Sequence, residues 1–186
     1  KNNYKFIILS GSCIPFKSFD FIYYKLIQYH YGYLNICPQA QCFPNCDTLT
    51  KVIDKNLISK SSNWFILNRK LVKSLCFDKD EFLNKHYNTV YAPAEYFYYT
   101  FIKILNLENE IITTPNLASD ASTFANWVGM DYKYVTPRGL KNYNSITQDE
   151  IQYLMYSKCL FGRKFTTECV SFFINNTDYI EYISSI

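Results

Sequence analysis

Glycine and proline are scarce, with five and six residues in a chain of 186. That scarcity excludes collagen-like repeats and Pro-rich linkers. It also excludes a phosphate loop, since neither G-x-G-x-x-G nor a Walker sequence occurs. No apolar run reaches the ~20 residues of a membrane span, and no signal-peptide pattern is in view. Charged residues make up only 19%, and Lys+Arg exceed Asp+Glu by 19 − 16 = 3. So small an excess does not by itself argue for a nucleic-acid-binding protein. Histidine occurs twice, at His30 and His86. Either could be paired with Cys13 as a Cys–His nucleophile, but the flanking residues do not support the pairing.

What the chain does have is apolar mass. Hydrophobic residues reach 48%, which excludes an intrinsically disordered chain. The length suits one domain, or one truncated domain, spanning 1–186. Aromatics are abundant, with Tyr 18, Phe 15 and Trp 2. Two explanations fit: an AT-rich coding bias, as in many protists and large DNA viruses, or a cleft whose Tyr and Trp stack on sugar faces. Cys37, Cys42 and Cys46 cluster among seven cysteines. Their C-x4-C-x3-C spacing lacks the C-x2-C of common zinc sites. A local disulfide in an oxidising compartment and reduced, mostly buried thiols both fit.

Along the chain, Lys5–Leu9 reads as a buried strand ending in Ser10-Gly11-Ser12. A core strand so close to Lys1 leads us to expect family or domain sequence upstream. Ser18 is placed to cap a helix carrying Phe19, Ile22, Tyr23, Leu26 and Ile27. Tyr29–Lys60 reads as an irregular excursion broken by Gly32, Pro38 and Pro44. Trp64–Leu67 reads as a strand, and Asn68 as the cap of a helix over Arg69–Leu75. Asp78, Asp80 and Glu81 suit the first turn of another helix. Pro93 suits the first position of a helix running to about Leu105. Thr123–Trp127 reads as a strand, Thr147 as the cap of a helix to about Tyr156, Lys158–Phe165 as a short strand or loop, and Thr177–Ile186 as a terminal helix. Strand, polar loop and helix in alternation predict an α/β fold whose loops carry the chemistry.

Several residues could serve that chemistry. Glu95 lies in a first helical turn among aromatics. It is a candidate general base, although local sequence alone favours helix-dipole compensation as its explanation. Arg138, Arg163 and Lys164 are loop or strand-end cations able to clamp a diphosphate, or ordinary surface charges. Asp78-Lys79-Asp80 has the look of a divalent-metal pair, and helix capping accounts for it at least as well. Asn175-Asn176-Thr177 is a glycosylation sequon, meaningful only in a secretory lumen.

Five segments then line up in order with one family. Ile8-Leu9-Ser10-Gly11-Ser12-Cys13-Ile14-Pro15 resembles "LLSxSCIPL". Lys60-Ser61-Ser62-Asn63-Trp64-Phe65-Ile66-Leu67-Asn68-Arg69 resembles "KGSQWFELNR". Tyr91-Ala92-Pro93-Ala94-Glu95-Tyr96-Phe97 resembles "YAPDEHYF". Thr123-Phe124-Ala125-Asn126-Trp127 resembles "TYVDW", and Leu160-Phe161-Gly162-Arg163-Lys164-Phe165 resembles "LFARKF". These are motifs of the core-2/I-branching β-1,6-N-acetylglucosaminyltransferases, in their plant-like branch. The resemblance implies a GT-A-like α/β fold: a Rossmann-like mixed sheet flanked by helices, of which this chain is the C-terminal portion. It implies an inverting glycosyltransferase with no metal cofactor, a UDP-sugar donor and a glycan acceptor. Within the wider family the donor sugar is N-acetylglucosamine, xylose or glucuronic acid, and the sequence does not choose among them.

Carried over by position, Glu95 is the catalytic base, and Lys164, Arg138 and the neighbouring Arg163 bind the donor diphosphate. Trp64, Trp127 and Ser10 lie on the acceptor and sugar side. The residue before Glu95, usually Asp, is Ala94 here. That departure motivates a second reading, a catalytically inactive glycan-binding relative. A third reading, an aromatic-rich nucleic-acid module, is disfavoured by the small net charge, and no nucleic-acid partner is expected. A membrane anchor upstream of Lys1 would imply a Golgi-type lumenal enzyme; a bare soluble start would imply a cytoplasmic one, of viral or other origin.

Overall fold

The computed structural model of the chain describes residues 3–37, 47–77, 86–87, 90–114, 123–126 and 140–175. Through the first half run β1 (Lys5–Ile7), β2 (Ile14–Pro15), α1 (Phe19–Gln28), β3 (Gly32–Asn35), β4 (Ile66–Asn68), α2 (Arg69–Phe77) and α3 (Pro93–Ile104). There follow β5 (Ile111–Thr114), β6 (Thr123–Ala125), α4 (Gln148–Tyr156), β7 (Phe161–Arg163) and α5 (Thr167–Asn175). Mixed sheets flanked by helices make this an α/β protein, in agreement with the GT-A-like class that the motifs implied. Among the described residues no helix is long and apolar enough to cross a membrane.

The helix starts follow local hydrogen-bonding chemistry. Ser18 Oγ accepts from the Phe21 amide at 3.2 Å, and Asn68 Oδ1 from the Leu71 amide at 2.8 Å. Thr147 and Glu150 form a reciprocal capping box on α4. Each bond satisfies one of the amides that a first turn leaves unpartnered. Pro93 opens α3, as its fixed φ favours.

The chain divides into two compact units. The first, 1–8 with 30–117, holds a four-stranded sheet in the order β1-β4-β3-β5. β1 and β3 run antiparallel to β4, and β5 runs parallel to β3. Leu34, Phe65, Leu67, Leu71, Leu75, Phe101, Ile102 and Ile111 bury the contact of this sheet with α2 and α3. On another face of α3, Tyr96 joins Leu49, Ile53, Ile58, Tyr87 and Val90 in a second cluster.

Two expectations need correction here. The Lys5–Leu9 segment is not an interior strand. β1 pairs only with β4 among the described residues, and Ile8 and Leu9 are 45% and 44% exposed. Its apolar run mimics a core strand because an edge strand can carry the same residues. The Tyr29–Lys60 excursion is also not wholly irregular, for it contains β3, in the middle of the sheet. Gly32, taken as an interruption, lies in that strand. A Cβ there would stand 2.7 Å from the Ile66 carbonyl oxygen and 3.1 Å from Leu71, so glycine permits the close approach.

The second unit, 9–29 with 118–186, holds a three-stranded sheet in the order β2-β7-β6. β2 is antiparallel and β6 parallel to β7. Its core is largely aromatic: Phe16, Phe124, Tyr143, Phe165 and Phe173 pack with Ile14, Ile151 and Leu154. α5 was not foreseen from sequence, although Thr166 Oγ1 accepts from the Cys169 amide at 3.4 Å at its start. The expected helices at Asp78–Glu81 and Thr177–Ile186, and Trp127 of the expected Thr123–Trp127 strand, lie outside the described residues.

Candidate active site

In the first unit, Glu95 stands in the opening turn of α3, half-buried. The turn is reached through Ala92, which holds a left-handed conformation at φ 54° and supplies no side-chain cap. Glu95 Oε2 forms an ion pair with Lys60 Nζ at 3.1 Å, with side-chain exposures of 31% and 25%. The Glu95 carbonyl accepts a hydrogen bond from the Ser61 amide at 2.6 Å. Burial alone would lower the Lys60 ammonium. Its hydrogen bond and charge attraction to Glu95, with smaller contributions from Cys37 and Tyr96, outweigh that and leave it raised above the ordinary lysine value.

The strand-like segment carrying Lys60 is fixed on both sides. Toward the sheet, the Cys37 amide donates to the Lys60 carbonyl at 2.8 Å, the Ser62 amide donates to the Asn35 carbonyl at 2.8 Å, and Ser61 bridges Ile36. Toward α3, Thr100 Oγ1 accepts from the Ser59 amide at 2.9 Å, and Lys103 Nζ reaches the Asn56 carbonyl at 2.6 Å. Residues 56–61 thus follow one face of α3 from its C-terminal turn back to Glu95. Trp64, half-buried, continues this segment, its amide bonded to Ser62 Oγ at 3.2 Å.

In the second unit, the Ser10 loop and the end of β7 come together. The Phe165 amide donates to the Ser12 carbonyl at 3.0 Å. Ser10 Oγ lies 3.1 Å from Ser12 Oγ and 3.3 Å from Cys13 Sγ. Arg163, 5% exposed, has its guanidinium pushed down to about 10 by burial, partly offset by the nearby Cys13. It remains protonated at neutral pH. Lys164 is half-buried, and its carbonyl accepts from the Tyr143 amide at 2.8 Å. Tyr143 is itself locked in place: its ring stacks on Phe165 at 4.7 Å, and its hydroxyl accepts from Asn126 Nδ2 at 3.0 Å. Nearby, Lys141 and Glu150 form a buried ion pair that also engages the α4 capping box.

The structure therefore joins Ser10, Arg163 and Lys164 in one unit, and Glu95 with the Trp64 segment in the other. Arg138 and Trp127 lie outside the described residues, as do Asp78 and Asp80. Among the described residues no three His, Cys, Asp or Glu side chains converge as a metal site. Sequence reasoning missed Lys60 as the partner of Glu95. Its position at the head of the segment resembling "KGSQWFELNR" was visible, but nothing local ties it to a helix 35 residues on.

The sequence model of the core-2/I-branching enzymes matches residues 1–155. The chain belongs to that family, a family of glycosyltransferases whose substrates are nucleotide sugars and glycan acceptors. No individual curated protein matches it significantly.

Proposed function

We propose that this chain carries out an inverting, metal-independent transfer of a sugar from a UDP-sugar to a glycan hydroxyl, with Glu95 as general base. N-acetylglucosamine is the first candidate sugar, with xylose and glucuronic acid next. An acceptor hydroxyl has a very high pKa and needs a base as it attacks the anomeric carbon. As the acceptor oxygen bonds to that carbon, its proton passes to the Glu95 carboxylate. The bond to the diphosphate oxygen breaks, and the electron pair leaves with the nucleoside diphosphate. Lys164 and Arg163, with Arg138, balance the charge that develops there. Trp64, Trp127 and Ser10 line the sugar side. Single displacement needs no nucleophilic side chain.

The observation carrying this reading is the Glu95 carboxylate, partly exposed and paired with a lysine at the start of α3. The test is release of UDP from UDP-N-acetylglucosamine, UDP-xylose and UDP-glucuronic acid with a panel of glycan acceptors, with Glu95→Gln as control. Glycan binding without UDP release by the wild-type protein would favour the non-catalytic reading that Ala94 motivates.

A further inference from the structure

We propose that Lys60 is a positioning residue for the Glu95 base, holding the carboxylate in one orientation before the acceptor arrives. This rests on the reading of Glu95 as the base. The grip has two points, since Nζ meets the carboxylate at 3.1 Å while the Ser61 amide meets the carbonyl of the same residue at 2.6 Å. Main chain and side chain of Glu95 are thus both held by consecutive residues. The segment making the grip is itself bonded to the end of β3 at Cys37 and Asn35. The ammonium is therefore delivered by the sheet, unlike a lysine at the tip of a surface loop.

Among the described residues, the surroundings of the Lys60 ammonium include an acid, a ring and a thiol. Glu95 pairs with it, the Tyr96 ring lies with its centroid 6.0 Å away, and the Cys37 thiol interacts more weakly. With its protonated form favoured, Lys60 does not compete for the acceptor's proton. It remains a cation while Glu95 cycles. When Glu95 takes the hydroxyl proton, the attraction between the two weakens, and loss of that proton to solvent restores it.

The test uses the intact protein and the variants Lys60→Met, Lys60→Arg and Glu95→Gln. The Lys60 ammonium, followed by nitrogen NMR, should titrate at lower pH in Glu95→Gln than in wild type. With the UDP-sugar and acceptor that support turnover, Lys60→Met should lose roughly 100-fold in kcat, the scale of a misplaced reacting group. UDP binding should be unchanged, so that the loss falls on kcat. Lys60→Arg should recover most of the rate. A merely structural lysine would lower the melting temperature and leave kcat near normal at temperatures where the variant is folded. Near-normal kcat in Lys60→Met, no recovery of rate in Lys60→Arg, or an unmoved Lys60 titration in Glu95→Gln would overturn the proposal. Absence of wild-type turnover with every donor would instead remove the reading of Glu95 on which it rests.

Discussion

A partly exposed ion pair such as Lys60–Glu95 contributes only ~0–1 kcal/mol to folding. Its geometry therefore matters more to the orientation of the carboxylate than to stability. The two basic residues at the end of β7 divide along the same line. Lys164 is half-buried with an adaptable side chain, whereas Arg163 is almost fully enclosed. On the proposed role of Lys164 in holding the donor diphosphate, Lys164→Ala would delete a charge-assisted contact of ~1.5–3 kcal/mol, so calorimetry should show UDP binding weakened by one to two orders of magnitude at a nearly unchanged melting temperature. Arg163→Ala should weaken UDP binding and also lower the melting temperature, because it empties a packed site. Glu95 was legible because Pro93 fixes the helix start two residues before it. Lys60 was not legible, because an ion pair across 35 residues leaves no local trace.

At the scale of the element, Gly162 shows how two motifs adjust to each other. A Cβ at Gly162 would lie 2.0 Å from Phe16 Cζ, so the ring occupies the space that a side chain would need. The motifs that these segments resemble carry Leu where Phe16 stands and Ala where Gly162 stands, which trades volume from one strand to the other. Gly162→Ala alone should destabilise the protein by about 1–3 kcal/mol through overpacking, measured by denaturant titration. Adding Phe16→Leu should recover much of that loss, a coupling a double-mutant cycle would expose.

Glu110 offers a pH-dependent counterpart. Its carboxylate is held below the usual range by Lys70 at 2.6 Å, with Asn68 adding a bond at 3.0 Å. A depressed carboxylate stabilises the fold above its ordinary pKa, and that stability is lost as pH falls through the folded value. Wild type should therefore lose more stability than Glu110→Gln below about pH 4.5, the ordinary glutamate value.

Helices were more legible than strands. Ser18, Asn68, Pro93 and Thr147 each announce a helix through chemistry contained within one turn. β3 and β5 are four residues each, and long-range pairing defines them: Gly32 with Ile111 through Asn35 with Thr114, and Tyr33 of β3 with Ile66 of β4. β1 kept its strand character and lost its expected interior position. The apolar pattern of three residues cannot separate an edge from a centre.

Across the whole chain, the fold class and family were legible because five short motifs occur in a fixed order. Their spatial consequence was not. The Ser10 loop and the Arg163-Lys164 pair are more than 150 residues apart, yet the Ser12 carbonyl meets the Phe165 amide. The two compact units are also interleaved in sequence, the second taking 9–29 from within the span of the first. Such interleaving depends on long-range pairing that local periodicity does not encode. The central claim is glycosyl transfer with Glu95 as base. The measurement that tests it most directly is UDP release by Glu95→Gln beside its UDP affinity. We predict that turnover falls by about 10²–10⁴-fold while UDP binds as tightly as to wild type. Near-normal turnover in Glu95→Gln would contradict the account.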